Sequence, residues 1–578
     1  MRLRVRLPLT TFAFAAIVAP STQLRAQSAD SAGMVVSKRG IVISSSALAS
    51  DVGASILRRG GNAVDAAVAT AFALAVTYPG AGNIGGGGFM VVRLKDGTAT
   101  TIDYRERAPL ASTKTMYLDA NGKINRSLTA TGYLAPGIPG TVRGLAMAHK
   151  KFGKLPWRDV VMPAAELASH GFALDSGLAH SLTREVSRGM KPYPASVAAY
   201  GKANGGEWQP GDTIVLADLG RTLTAIAKEG PDVFYRGWIA DSIAAEMQRN
   251  NGLISKKDLA AYRARERAPI RGRYHGYDII TMPPPSSGGV AMVEMLNILS
   301  YFDLAKQGRW SPETLHLMIE AMRRAYVDRA RYLGDPDFVK MPVARLTSAN
   351  YAAALASHID PAKASSSVEL GKDIITTTSV ADESDETTQF SVVDKDGNAV
   401  SNTFTLEGGY GSHVVVRGAG FLLNNEMGDF NKKPGETNLE GDIGTPPNQI
   451  APGKRMLSSM SPTIVAKNGK LFMVTGSPGG RTIINTVTEV VLNATGFGMS
   501  AREAVDAPRL DHEWLPDVVT FEHDAIPDST AARLRAMGHT VQQRGRQGDA
   551  HTIIFDPKTR TAYGANDRRS SDSKASTP

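Results

Sequence analysis

The segment 387–405 limits what this chain can fold into more than any other. Two β-prone runs, Thr388-Gln389-Phe390-Ser391-Val392-Val393 and Ala399-Val400-Ser401-Asn402-Thr403-Phe404, flank Asp394-Lys395-Asp396-Gly397-Asn398. Glycine and asparagine tolerate the positive φ of a tight reversal, so the pattern predicts a hairpin. A turn centred on Asp396 pairs residues equally distant from it and sets Thr387 opposite Thr405. Cross-strand partners hold their Cβ atoms about 4.5–5.5 Å apart, within reach of a hydroxyl–hydroxyl hydrogen bond. A slip of one residue would turn every side chain to the other face, so the pairing is a sharp expectation.

Ala381-Asp382-Glu383-Ser384-Asp385-Glu386 precedes the hairpin and is acidic and polar, the character of an exposed loop where chains are cut. A break before Thr387 would give one residue both a β-hydroxyl and a free α-amine. Such an amine has a pKa near 8, and near neutral pH a useful fraction can take the hydroxyl proton. Threonine is also common at the start of ordinary strands, so both readings stand on the residues alone.

Residues 1–26 begin with three arginines and no acid, continue with an apolar run over 7–19, and end on Leu24-Arg25-Ala26. This is the pattern of a cleaved secretory signal, and the run is too short to span a bilayer. Its removal takes four arginines and leaves 61 cations against 56 acids, a formal +5. That small excess, with no dense basic run, argues against a nucleic-acid partner. No later stretch is long and apolar enough for a membrane span. The absence of cysteine excludes disulfides, thiolate metal sites and cysteine nucleophiles.

Along the chain, 34–44 reads as a hairpin or strand pair. Residues 47–76 read as two helices separated by Arg58-Arg59-Gly60-Gly61-Asn62. The second helix is apolar apart from Asp65, which implies burial on all sides. A helix over 315–332 carries several arginines on its polar side. Short strands follow near 390–393, 399–405, 420–423, 461–466 and 471–475, then a helix near 500–506. Residues 431–455 read as a long exposed loop, and 567–578 as a polar tail. Stacked α and β layers are the natural architecture.

Several ordered segments are similar to the γ-glutamyltransferases (glutathione hydrolases), a family of N-terminal-nucleophile hydrolases. They include Gly61-Asn62-Ala63-Val64-Asp65, the glycine run 82–90, Tyr104-Arg105-Glu106-Arg107, 283–289, 328–338, 387–400, 424–430, 457–462 and 476–480. The resemblance covers about 34–569. It implies a four-layer αββα sandwich built jointly by two fragments, 27–386 and 387–578, cut between Glu386 and Thr387. It implies that Thr387 is the nucleophile, oriented by Thr405, and that the Gly479 and Gly480 N–H groups stabilise the oxyanion. Arg105, with Ser458 and Ser459, is expected to grip the substrate α-carboxylate, and Glu426 and Asp429 to receive its ammonium. The implied donors are glutathione or glutamine, and the implied acceptors are water, amino acids or peptides. No cofactor is expected.

Two departures bear on substrate handling. Glu407 stands where many members carry asparagine, and an acid there can add to ammonium binding. Glu440 stands where some bacterial members present an aromatic gate residue, so acceptor preference is open. Other readings fit less well. There is no Gly-x-Ser-x-Gly elbow, no His-Glu-x-x-His, and no Gly-Lys-Ser/Thr ending to the glycine run 82–88. His512, His523 and His551 lack ligand spacing. A cephalosporin-acylase-like or capsule-transpeptidase-like relative would share the nucleophile with another acyl group, and an uncleaved periplasmic binding paralogue would lack activity.

Overall fold

The computed structural model describes residues 33–377 and 387–578. The signal-like stretch 1–26 and the acidic stretch 381–386, with Glu386, lie outside the described residues.

The hairpin forms as Thr388–Asp394 and Ala399–Thr405. Thr388 pairs with Phe404 and Val393 with Ala399, which is the register of a turn centred on Asp396. The Asp394 carboxylate builds that turn. Its Oδ1 accepts from the backbone N–H groups of Asp396 (2.9 Å) and Asn398 (3.0 Å). Its Oδ2 accepts from Asn398 Nδ2 (2.7 Å) and from the Ala63 backbone N–H (3.0 Å). Ala63 opens the helix Ala63–Thr77, so the same carboxylate also meets the positive end of a helix dipole.

Every residue of Ala63–Thr77 is buried, as its apolar sequence requires. Asn62 and Asp65 form a reciprocal capping box at its start, and Asp65 also accepts from the Lys154 backbone N–H (2.9 Å). The single charge of this helix is thus used at its cap. One side of the helix packs on the hairpin strands, the other on helices Ala47–Arg58, Thr141–Phe152 and Trp157–His170.

Two antiparallel seven-stranded sheets lie at the centre. In the first, the order is Lys574–Ser576, Gly40–Ser44, Thr388–Asp394, Ala399–Thr405, Gly87–Arg93, Ala99–Asp103 and Arg265–Arg267. In the second, Val35–Ser37, Thr561–Ala565, Thr552–Asp556 and Lys470–Thr475 are followed by Thr463–Lys467, Tyr277–Thr281 and Ile270–Tyr274. Ile43, Val91 and Val393 of the first sheet pack against Ile280, Val474 and Ile553 of the second. Helices Gly288–Leu299, Pro312–Tyr332 and Ile483–Gly496 cover the outer face of the second sheet. The layers therefore run helix, sheet, sheet, helix, the αββα sandwich the resemblance implied.

Four local expectations are corrected. Strands do form within 34–44, but Val35–Ser37 pairs with Thr561–Ala565 and Gly40–Ser44 with Thr388–Asp394, so the chain crosses between sheets instead of folding back. Residues 420–423 make only an isolated bridge between Val415 and Leu422. Residues 431–455 are irregular but largely buried, because side chains within the loop satisfy its backbone. Asn431 Nδ2 donates to Thr445 O (2.7 Å), and Lys454 Nζ donates to Pro447 O (2.7 Å) and Gln449 O (2.9 Å). The polar C-terminus is built into the fold: Asp567 is buried against Arg509 (2.6 Å), and Lys574–Ser576 edges the first sheet.

Replacing Asp394 by alanine removes four hydrogen bonds from the turn and helix cap. Asp394→Ala is expected to lower the unfolding free energy by roughly 2–4 kcal/mol, read from urea unfolding. A loss under about 0.5 kcal/mol, the scale of a neutral surface change, contradicts this role.

Candidate active site

Thr387 is buried immediately before the central strand Thr388–Asp394. One step beyond the Thr388–Phe404 pair, the register carries it opposite Thr405. Strand alternation puts Thr387 on the face shared by Gln389 and Ser391, opposite Ser401 and Thr403. This face is polar and fully tied together. Thr403 Oγ1 donates to Gln389 Oε1 (2.5 Å), Gln389 Nε2 to Ser401 Oγ (3.1 Å), and Ser401 Oγ to Thr475 O in the other sheet (2.7 Å). The Thr405 hydroxyl accepts from the Glu407 backbone N–H (2.8 Å). Glu407 holds φ at +83°, a conformation that costs a non-glycine residue about 1–3 kcal/mol and marks a constrained site.

The turn after Lys470–Thr475 carries Gly479 and Gly480, with φ of +131° and +55°. A Cβ on Gly479 would lie 2.7 Å from Thr482 Oγ1, so only glycine suits the position. Thr482 donates to Gly479 O through its N–H (3.1 Å) and its hydroxyl (2.8 Å). Residues 480–482 form a single 3₁₀ turn that opens into the 14-residue helix Ile483–Gly496. Backbone N–H groups at such a terminus favour developing negative charge. Thr387 shares one cavity with Gly480 and a second with Gly479.

The first cavity also holds Arg105, Glu407, Glu426, Asp429, Ser458 and Ser459, so the structure brings the expected binding residues together. Arg105 is buried. Its Nη1 lies 2.5 Å from Glu426 Oε2, its Nη2 pairs with Asp429, and Glu106 Oε2 lies 3.8 Å away. The two acids expected to meet an ammonium independently are thus partners of the guanidinium itself. Burial opposes the charge on Arg105, but Glu426 and Asp429 outweigh it and hold the proton more tightly than usual. Burial pushes the Glu426 carboxyl well above the ordinary range; Arg105 counters it, while Glu106, Asp429 and Glu407 add to the rise. Burial raises Glu106 to about 8, against the pull of Arg105. Arg105 thus sits among Glu426, Asp429 and Glu106, so cationic and acidic groups meet at one end of the cavity.

Ser458 and Ser459 are held by the segment before Gly288–Leu299. Ser287 Oγ donates to Ser458 O (2.7 Å), and the Ser458 hydroxyl accepts from the Met460 N–H (3.1 Å). Arg329 Nη2 donates to Ser459 Oγ (3.2 Å) and its Nε to Ser287 Oγ (3.0 Å). Arg329 lines the same cavity and was not singled out in the sequence, where it read as one of several solvated arginines of its helix. Its neighbours Arg323 and Arg324 are buried against Glu320. Glu106 was passed over in the same way, as part of the Tyr104–Arg107 motif.

Residues 432–445 of the packed loop roof the cavity through Lys433, Asp442 and Ile443. Glu440 lies in this stretch with Oε2 buried and without a hydrogen-bond partner. Of the histidines, His512 meets Asp517 (3.1 Å), and His551 lies beside Ser45 (3.2 Å). His316, Glu320 and His539 bring their ligand atoms within 4.8 Å of one another, close enough to hold a metal ion. However, both Glu320 oxygens are engaged by Arg323 and Arg324, and the two imidazoles bond each other at 2.8 Å.

A threonine at the start of a central strand, glycines at a facing helix terminus and an αββα sandwich define a hydrolase of the N-terminal-nucleophile class. The profile of the family described as gamma-glutamyltranspeptidase matches residues 49–577. A glutathione hydrolase proenzyme from Escherichia coli K12 is 48% identical over 540 residues, covering 93% of this chain and 92% of the relative. Among solved structures, a cephalosporin acylase from Bacillus halodurans superposes with a TM-score of 0.81 at 28% identity, covering 98% of this chain and 99% of that one. A γ-glutamyltranspeptidase from Helicobacter pylori matches at 43% identity and a TM-score of 0.54, over 55% of this chain and 91% of that one. The chain belongs to the γ-glutamyltranspeptidase family.

Glu106 yields a pH prediction. A carboxyl raised to about 8 in the fold is protonated there at pH values where the unfolded chain has already released the proton. Its stabilising effect is complete below the unfolded value and is lost as the pH rises through about 8. Glu106→Gln keeps the neutral form, so its melting temperature relative to the parent should rise between pH 5 and pH 8. An equal difference at both pH values contradicts the assignment.

Proposed function

We infer that this chain is the precursor of a γ-glutamyltransferase that acts on glutathione and related γ-glutamyl amides, with Thr387 as nucleophile. The observation that carries the reading is the meeting of Thr387, Gly480 and the Arg105 cluster in one cavity. The family membership supports it independently.

In the first reaction the Thr387 hydroxyl attacks the Glu386 carbonyl. The C–N bond breaks as an ester forms on Oγ, which frees the Thr387 amine, and water then hydrolyses that ester to give the Glu386 carboxylate and restore the Thr387 hydroxyl. In the second, the Thr387 hydroxyl attacks the γ-carbonyl of the donor while its own amine takes the proton. Gly479 and Gly480 N–H groups meet the oxyanion, each such donor contributing roughly 3–4 kcal/mol. The leaving amine receives the proton, and water or an acceptor amine then resolves the γ-glutamyl ester. Thr405 orients the nucleophile. Arg105, with Ser458 and Ser459, takes the α-carboxylate, while Glu426, Asp429 and Glu407 take the ammonium.

The fragments 27–386 and 387–578 would remain together as a heterodimer after the cut. The central strands Thr388–Asp394 and Ala399–Thr405 are flanked by Gly40–Ser44 and Gly87–Arg93, so the sheet hydrogen bonds themselves join the two pieces. Residues 1–26 would direct export to the periplasm or beyond. No helix among the described residues is long and apolar enough to cross a membrane. The likeness to a cephalosporin acylase favours a second reading with a different acyl group. The Arg105 cluster argues for the first, because an acyl group without an amino-acid head has no use for these charges.

Release of nitroaniline from γ-glutamyl-p-nitroanilide tests the reading. The parent should turn over, and Thr387→Ala should lose at least about three orders of magnitude in rate. Arg105→Lys, which lacks the planar fork, should lose about tenfold or more in kcat/KM. An inactive parent, or an active Thr387→Ala variant, contradicts it.

A further inference from the structure

Before the cut Thr387 has no free amine, so the self-cleavage must find its proton donor elsewhere. The Thr387 nitrogen is then the leaving group, and an amide nitrogen leaves poorly unless a proton reaches it as the C–N bond breaks. The amine that serves the later acyl transfer cannot supply that proton, because it does not yet exist.

Asp549 stands with Thr387 and Gly479 in the wall of one cavity, of about 200 Å³, separate from the cavity of Arg105. The residue is buried, and its Oδ1 has no hydrogen-bond partner. Its Oδ2 accepts from Ser45 Oγ (3.2 Å), and its backbone N–H donates to Ser477 Oγ (3.0 Å). Ser477 belongs to the turn that carries Gly479 and Gly480. Ser45 also accepts from Thr388 Oγ1 (3.1 Å), which ties this carboxyl to the residue next to the nucleophile. One carboxyl oxygen is thus anchored and the other is left open, a state uncommon for a buried polar atom.

The surroundings leave this carboxyl its proton. The neighbouring Asp567 takes Arg509 (2.6 Å) and Arg569 (3.2 Å), and no arginine or lysine pairs with Asp549 among the described residues. Arg544 and Arg546 also line the cavity, but Arg544 faces Asp511 (3.9 Å) and Arg546 donates to Arg569 O (2.8 Å). Burial, then the charge of Asp567, hold the Asp549 carboxyl well above the ordinary range; Ser45, Arg509 and Arg569 oppose them without prevailing. His551 Nε2 lies 3.5 Å from Asp549 Oδ2, and its imidazole, lowered to about 4 chiefly by burial, stays neutral. A neutral carboxyl carries one O–H donor, and here the open oxygen is the one that can bear it.

We propose that Asp549 is the proton donor of the self-cleavage, passing the proton of Oδ1 to the Thr387 nitrogen as its bond to Glu386 breaks. The proposal rests on the reading of Thr387 as the nucleophile and adds a group which that reading lacks. The bond from Thr387 Oγ to the Glu386 carbon forms, the C–N bond breaks, and the nitrogen leaves as a neutral amine. The hydroxyl proton passes to water in the cavity, and the Asp549 carboxylate regains a proton from the same water, so the step is balanced. A buried carboxyl kept neutral to act as an acid is a recurring catalytic device.

The test follows the cut in time on denaturing gels, with full-length precursor made by cell-free translation and transferred to buffers between about pH 5 and about pH 9. Only the protonated carboxyl donates, so the parent's rate constant should fall as the pH rises through the raised value of Asp549. Asp549→Asn should cut roughly a hundredfold more slowly or worse, and its profile should lose the falling limb. Asp549→Glu, which restores the acid on a longer arm, should recover part of the rate together with the limb. Ser45→Ala removes a bond that favours the carboxylate form, so it should move the limb to higher pH. A parent without a falling limb overturns the proposal, as does a limb that persists in Asp549→Asn or stays unmoved in Ser45→Ala. Equal slowing by Asn and Glu with the parental profile overturns it as well, since that is the mark of a structural role. A parent that never cuts at any pH overturns the reading of Thr387 itself.

Discussion

Everything in this molecule depends on the register of one buried hairpin. Pairing Thr388 with Phe404 fixes which face each hydroxyl presents, and a slip of one residue would turn Thr387 and Thr405 away from the second sheet. The register is secured from both ends. At the turn, Asp394 bonds the backbone of Asp396 and Asn398 and the start of the buried helix Ala63–Thr77. Toward the site, the Gln389, Ser401 and Thr403 network ties the hairpin to the neighbouring sheet. Local turn chemistry and long-range packing thus specify the same alignment.

Around that fixed point the protein concentrates unfavourable features. Glu407 adopts positive φ, Gly479 and Gly480 adopt backbone that few other residues would accept, and several carboxyls crowd one buried guanidinium. Each is costly alone. Large apolar layers on both sides of the sheets supply the stability that lets them persist. In the proposed reaction the crowding has a chemical use: Arg105 with Glu426 and Asp429 beside it offers partners for both charges of an amino acid.

Much of this was legible in the sequence where the information is local. The hairpin register followed from the position of Asp396 and the period of two. The pair of helices Ala47–Arg58 and Ala63–Thr77 followed from the Gly60-Gly61 break and from an apolar pattern with one charge. What local patterning could not reveal was partnership across the chain. Val35–Ser37 and Gly40–Ser44 read as a pair but belong to different sheets, because their partners lie more than three hundred residues away. Asp567 read as part of a solvated tail because Arg509 is distant in sequence. Residues 431–455 read as exposed because their polar side chains were counted as solvated, when they bond the loop's own backbone. The roles of Arg105, Glu426 and Asp429 came from family resemblance. The direct contact of both acids with the guanidinium emerged only from the fold.

The central claim is that Thr387 becomes a chain terminus, and its most direct test is terminal sequencing of the purified protein. The account predicts two fragments in equal amounts, the smaller beginning Thr387-Thr388-Gln389-Phe390. A single uncut chain, or a smaller fragment that begins at any other residue, would contradict it.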